Sequence, residues 1–273
     1  MAEHSSKFPN NLFDKNQSDY PVKLSILLPV RNEGANLIIT LKMFNSFISC
    51  NHEILIIYDF PEDNSIPVVT ELQKQYKNVK LIHNALGPGV VNAIQIGIKH
   101  SEGKYILIYA ADEIIPVFAI NDMIKLLDTG CDFINCTRYS YGGRRLGGNV
   151  ISGILSIIGN KSFSFLANSA FSDSTTGIKM FRRSIFHLFS FEFPPVGWAF
   201  AYEMSIKAQL YKLRLGEVPI TSIDRLFGGN STFKLNKWFF QYFKLFLWGI
   251  ITLRRKNGFK HHDITVRIPN FNN

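Results

Sequence analysis

Cysteine is scarce in these 273 residues: Cys50, Cys131 and Cys136 are all there are. Their odd number argues against a disulfide framework, and their spacing is not that of a metal site. They suit a reducing compartment. Acid is the minority charge, with 21 Asp and Glu against 30 Lys and Arg, a formal net charge of +9. Such a chain calls for an anionic partner, and a nucleotide, a phospholipid and a nucleic acid all qualify at this point. No run reaches the ~18–20 uninterrupted apolar residues of a membrane span. The polar opening stretch, 1–21, lacks the apolar core of a signal peptide and reads as a flexible lead-in. A full G-x-G-x-x-G is also missing. Gly87-Pro88-Gly89 is the nearest approach, but it follows the third apolar run rather than the first. A structural turn is therefore its default reading, and a phosphate cradle at a helix N-terminus the alternative.

What is present is a repeated pattern of apolar run, polar loop and helical stretch. The runs are Lys23–Val30 (KLSILLPV), Glu53–Tyr58 (EILIIY), Val79–His83 and Lys104–Asp112 (KYILIYAAD). Helical periodicity follows through Leu37, Ile38, Leu41, Phe44 and Phe47, then over Val68–Tyr76, then from Val90 to Ile98. This spacing predicts right-handed βαβ units and a mostly parallel sheet. Ligands of such sheets bind beyond the carboxyl ends of the strands. Asp112 stands at such an end after two small residues, Ala110 and Ala111. A helix N-cap is the plain alternative for it. Further on, helices are expected over Val117–Asp128, Val150–Phe171 and Ala199–Tyr211. Strands are expected over Cys131–Thr137 and Arg214–Ile220, and a turn with a short strand over Asp173–Phe181. Loops are expected over Arg138–Gly148 and Ile223–Lys234.

Eight segments in order, SILLPVRNEGANL (25–37), EILIIYDFPEDNS (53–65), ALGPGVVNAIQIGI (85–98), YILIYAADEI (105–114), NCTRY (135–139), DSTTGIKMFRRS (173–184), YEMSIKAQLYKLRLGEVPI (202–220) and DRLFGGNST (224–232), resemble the family 2 glycosyltransferases, in their dolichyl-phosphate mannose synthase-like branch. The resemblance implies a GT-A fold over 22–235: a nucleotide-binding α/β architecture with a mostly parallel central sheet and flanking helices. It implies sugar transfer from a nucleoside diphosphate sugar, with no nucleic acid partner. By position, Pro29, Arg31, Glu33, Asp59 and Asp63 fall where the family meets the nucleotide. Asp112 matches the last acid of the family's D-x-D and so would contact both the donor and a metal. Arg138, Arg225 and Lys234 lie in segments resembling phosphate-contacting loops. Two acids of the pattern are absent: Tyr58 replaces the first of a paired set, and Ala110 the first of D-x-D.

Breaking the sugar–diphosphate bond builds negative charge on the leaving phosphates, which a divalent ion or cationic side chains must stabilise. Mg²⁺ or Mn²⁺ is the expected cofactor, since Mg²⁺ often needs only one or two carboxylates besides phosphate oxygens. Catalysis is expected from Asp112, Glu203, Asp173 and Arg225. A hydroxyl acceptor needs a general base, for which Glu203 is the first candidate and Asp173 the second. A polyprenyl phosphate acceptor needs none. Residues 236–256 carry Lys237, Gln241, Lys244, Trp248, Thr252 and Arg255 on one stripe, with Phe239, Tyr242, Phe243, Phe246, Ile250 and Leu253 on the rest. That profile suits an amphipathic helix in a bilayer interface; packing on the domain or on a second subunit of a homodimer is the alternative. A basic polar tail, 257–273, would follow. The reading is an inverting transferase, peripheral at the cytoplasmic face of a membrane, acting on a lipid-linked acceptor. A transferase acting on a glycan hydroxyl and a nucleotide-sugar-binding protein without catalysis are its rivals.

Overall fold

The computed structural model of the chain describes residues 20–148, 150–193, 196–223, 235–257 and 263–269. Its centre is an eight-stranded sheet in the order β10-β8-β5-β7-β4-β1-β2-β3. The strands are β1 (Val22–Val30), β2 (His52–Tyr58), β3 (Val79–His83), β4 (Gly103–Ile108), β5 (Phe133–Thr137), β7 (Lys179–Arg182), β8 (Leu215–Pro219) and β10 (Ile264–Val266). All pair in parallel except β7, which runs antiparallel between β4 and β5. A small parallel pair, β6 (Arg144–Leu146) and β9 (Thr221–Ile223), stands apart. The predicted GT-A α/β architecture is the observed one.

Both sheet faces are covered, which is why the strands read as continuous apolar runs rather than alternating ones. On one side Leu24, Ile26 and Leu28 of β1 join α1 (Gly34–Phe47) through Leu37, Leu41 and Phe44, and α4 (Ile120–Asp128) through Met123 and Leu127. On the other, Leu27, Leu55 and Ile106 meet α3 (Val90–His100) and α6 (Ala199–Leu210). The remaining helices are α2 (Ser65–Leu72), α5 (Val150–Ala167) and α7 (Leu235–Asn257). The single helix expected over Val117–Asp128 is divided: Ile115–Ala119 is a 3₁₀ turn with Pro116 near its start, and α4 begins at Ile120. Proline's fixed φ and missing N–H suit the first turn of a helix and nothing deeper.

Three short strands were not foreseen. β6 and β9 lie in stretches read as loops or strand ends. β10, in the stretch expected to be a polar tail, pairs with β8 at the sheet edge, where Arg267 ties it to Asp122 of α4 at 2.5 Å. Three residues with one apolar side chain on either flank are too short for periodicity to reveal.

The helix α7 packs on α5 and α6 through Leu245, Gly249 and Leu253, with Phe163 and Ile206 opposite. A Cβ at Gly249 would stand 2.7 Å from Ile206 and 2.8 Å from Phe163, so glycine sets the approach. The stripe Phe239, Phe243, Leu247 and Ile251 is exposed, as is Phe240. Leu245 and Leu247 lie 200° apart at ~100° per residue, so the two stripes are on opposite faces. The expected face assignment needs correction on this point. Trp248 sits against Phe193, at 5.3 Å between rings, and Phe246 against Phe163 at 5.7 Å, while Leu253 is fully buried.

Candidate active site

The carboxyl ends of β1, β2, β4, β5 and β8 open on one rim, and the loops that leave them carry the expected residues. After β1, Arg31 lies over the Phe60 ring at 5.6 Å, joining the first two loops. Asn32 has φ +58°. Its N–H points at Asp63 and donates to both carboxylate oxygens, at 3.1 and 3.0 Å. Asp63 also accepts from Ser65 N–H at 2.8 Å. Glu33 N–H donates to Ser65 Oγ at 2.9 Å, and Gly34 N–H to Asn64 Oδ1 at 3.0 Å. Gly34 is required here because a Cβ would stand 2.8 Å from the Asn64 carbonyl oxygen. Asp63 is thus buried as a clamp that shapes the Arg31–Glu33 loop. Pro29 is half-buried one residue before the end of β1.

Asp59, at the end of β2, accepts from Asn84 Nδ2 at 2.8 Å and from Gly89 N–H at 3.1 Å. The Gly-Pro-Gly turn therefore closes on a protein carboxylate, in line with the default structural-turn reading. Gly87 (φ +93°) and Gly89 (φ +133°) both hold conformations that side chains resist.

The strand β4 ends at Ile108, four residues short of the expected end, and Tyr109–Asp112 leave the sheet as a turn. The turn is braced twice: Tyr109 N–H donates to Leu27 O at 3.1 Å, and Thr40 Oγ1 on α1 donates to Ala111 O at 2.8 Å. Asp112 is half-buried on it. Neighbouring Glu113 accepts from Ser222 Oγ of β9 at 2.6 Å. Among the described residues no three His, Cys, Asp or Glu side chains form a metal cluster. A metal would rest on Asp112 together with oxygens of a bound diphosphate, a donor set that suits Mg²⁺ or Mn²⁺.

At the end of β5, Arg138 forms a two-pronged ion pair with Asp173, Nε to Oδ2 at 2.7 Å and Nη2 to Oδ1 at 3.0 Å. Its backbone N–H adds a third bond at 3.2 Å. Burial alone would raise the Asp173 pKa, but the charge and hydrogen bonds of Arg138 outweigh it and hold the carboxyl below its usual range. Behind this pair lies a buried polar layer that sequence reasoning missed. Lys179 donates to Asn135 Oδ1 and, at 3.4 Å, to Ser174 O. Asn135 Nδ2 donates to Glu217 at 3.0 Å and to Asp173 O at 2.9 Å. Ser172 N–H and Oγ also donate to Glu217, at 3.1 and 2.8 Å. The signal was a charged residue inside an apolar run, Lys179 in GIKMF and Glu217 in LGEVPI.

Glu203 does not reach the rim as an open carboxylate. It is 1% exposed, pairs with Lys207 at 3.1 Å and accepts from Glu192 N–H at 2.8 Å. Burial raises its pKa against the pull of Glu192 N–H and Lys207. The arrangement ties Glu192 to α6. The Trp198 ring, just before α6, covers Gly177 so closely that a Cβ there would stand 2.7 Å away. Arg225 and Lys234 lie outside the described residues.

A model of the glycosyl transferase family 2 matches residues 25–189, more than half of the chain. The chain belongs to the family 2 glycosyltransferases. It is 25% identical over 210 residues to the dolichol-phosphate mannosyltransferase of Mycosarcoma maydis, covering 72% of this chain and 69% of that one. Two bacterial glycosyltransferases are matched over only 33% and 47% of their own length. Among solved structures, glucosyl-3-phosphoglycerate synthase from Mycobacterium tuberculosis, in complex with Mn²⁺, uridine diphosphate and phosphoglyceric acid, superposes with a TM-score of 0.58. It has 15% identity over 88% of this chain and 80% of that one. Residues 1–349 of S. aureus TarS give a TM-score of 0.53, with 15% identity over 87% and 74%. This glycosyltransferase shares the GT-A fold with both.

Proposed function

We propose that this enzyme transfers a sugar, with inversion, from a nucleoside diphosphate sugar to a polyprenyl phosphate or similar lipid-linked phosphate at a membrane surface. One observation carries the choice of acceptor. Both carboxylates suited by sequence to act as a base, Asp173 and Glu203, are buried and ion-paired, with Arg138 and Lys207. A sugar hydroxyl would need such a base to take its proton, whereas a phosphate arrives ionised. The name of the Mycosarcoma relative points the same way.

In this reading the loops after β1 and β2, with Pro29, Arg31, Glu33 and Asp59, hold the nucleoside, while Asp63 fixes their shape. Arg138 faces the phosphates with its guanidinium pre-set by Asp173, so little reorganisation is needed as charge builds there. A divalent ion on Asp112 would supply further charge neutralisation for the leaving diphosphate. Arg225 and Lys234 remain candidate phosphate contacts by position.

The membrane part rests on α5 and α7. Neither contains Asp or Glu. They expose Ile154, Ile158 and Phe165 on one helix, the last at 79%, and Phe239, Phe240 and Phe243 on the other. Lys161, Lys244, Arg255 and Lys256 are exposed along them. An apolar face rimmed by cations suits peripheral binding to anionic lipid at the cytoplasmic face. No helix among the described residues is long and apolar enough to cross a membrane.

The test offers a panel of nucleoside diphosphate sugars with either a detergent-dispersed polyprenyl phosphate or a free saccharide. Transfer to the lipid phosphate, retained within about tenfold in Glu203→Gln, is the expected result. A loss of about 10²–10⁴ in that variant would mark Glu203 as a base and move the hydroxyl acceptor ahead. Donor binding without any turnover would leave a binding protein.

A further inference from the structure

Lys179 is fully buried at the start of β7, beside Ile108 of β4 and Asn135 of β5 in the sheet register. It therefore sits at the tip of the strand that leads to Asp112 and directly behind the Arg138–Asp173 pair. Its hydrogen-bond acceptors, Asn135 Oδ1 and Ser174 O, are neutral. A neutral amine still has an N–H for each of these two acceptors, so neither is orphaned when the proton leaves. Burial and the surrounding charges therefore weigh heavily in whether the proton is present.

We propose that Lys179 is a positioning residue for the leaving diphosphate: it takes up a proton when the diphosphate binds, and through Asn135 and the Ser174 carbonyl it holds the Asp173 turn that aims Arg138. The groups facing it come from every side. β5 brings Cys136 and Asn135, β8 brings Glu217, the turn before β7 brings Asp173, the end of β5 brings Arg138, and Ser205 of α6 shares the Ser174 carbonyl. Burial lowers the amine pKa to about 7, against Asp173, Cys136 and Glu217, which raise it. The group thus stands where a modest added field tips it. One negative charge at ~10 Å and an effective dielectric of ~20 raises a pKa by about one unit. A diphosphate at the rim brings more than one charge. Glu217 is itself pushed up by burial, against its bonds to Ser172 and Asn135.

The inference rests on the nucleoside diphosphate donor proposed above. The test is calorimetric titration of the full chain with UDP and other nucleoside diphosphates, with and without Mn²⁺. Each titration is run at pH 7.5 in two buffers of different ionisation enthalpy. Wild type should take up about half a proton more per bound nucleotide than Lys179→Met, a difference that cancels the ligand's own titration. Between pH 6.5 and 8.5 wild-type affinity should fall about tenfold more steeply than that of Lys179→Met. Lys179→Arg, with a charge that does not titrate in this range, should bind with the shallow profile. If Lys179→Met does not fold, Glu217→Gln reads the same device with Lys179 intact. Removing a neighbouring acid should move the midpoint of the affinity profile down by about one pH unit. Equal proton uptake in wild type and Lys179→Met, or an unmoved midpoint in Glu217→Gln, overturns the proposal. No binding of any nucleoside diphosphate to wild type would instead sink the donor reading, and this inference with it.

Discussion

Replacing Asp173 by Asn keeps the side-chain volume and removes one charge from a pair that is almost wholly out of solvent. In the wild type Asp173 takes three bonds from Arg138 and one, at 3.1 Å, from Thr175 Oγ1. An asparagine amide offers one acceptor oxygen and turns an N–H₂ toward a guanidinium that can only donate. The variant is left with a buried cation lacking its partner, which costs about 3–5 kcal/mol. Urea denaturation followed by circular dichroism should show a loss of that size, with the slope unchanged. The double-mutant cycle with Arg138→Met should give a coupling of about 1–3 kcal/mol, the second substitution restoring part of what the first removed. The pH dependence supplies a second check. The folded pKa of Asp173 lies below its unfolded value, so its contribution is present above the unfolded pKa and fades as pH falls through the folded one. That acid-side loss should be absent from Asp173→Asn. A destabilisation under about 1 kcal/mol, or strict additivity in the cycle, would refute the view of Arg138 as a group held in place by a buried partner.

Replacing Phe239, Phe240 and Phe243 together by Ser should abolish flotation with anionic vesicles and leave the melting temperature within a few degrees. Leu253→Ala, on the opposite face, should cost about 2–5 kcal/mol and leave vesicle binding of the folded protein intact. Unfolding of the triple variant would identify the Phe face as a packing surface. Asp112→Asn should remove the Mn²⁺ dependence of nucleotide binding and cut transfer by at least 10²; turnover within about threefold of wild type would reduce Asp112 to a turn residue. Burial lowers the folded pKa of Lys179 to about 7, from the ordinary lysine value of 10.5. The unfolded chain therefore binds more protons between those limits, and stability should rise with pH across them. Thermal melts of Lys179→Met should lack that rise, and an identical slope in both proteins would contradict the buried amine.

The mostly parallel sheet, the succession of its first four strands along the chain and the rim on which Asp59, Asp112 and Arg138 stand were legible in the sequence. Short apolar runs rich in strand formers, alternating with helical stretches, read as strands covered on both faces, and polar loops at their carboxyl ends mark the ligand side. The family was legible too, because its eight segments occur in order, each weak and jointly specific. The ends of elements were less so. β4 stops at Ile108: Tyr109 N–H makes a last bond to Leu27 O of β1, and Thr40 of α1 then holds the turn through Ala111 O, bonds made from distant parts of the chain. The partners of the charged residues lay beyond reach for the same reason. Nothing local in DSTTGIK says that Asp173 meets Arg138, 35 positions away, or that Lys179 meets Asn135, 44 away. Glu203 looked like an open base on a helix and is closed by Lys207 and the Glu192 N–H. The helix α7 showed one polar stripe with apolar residues crowding the rest, suited to a bilayer interface or to packing. Gly249, with room for nothing larger against Ile206 and Phe163, decides which face packs and leaves the phenylalanines facing outward.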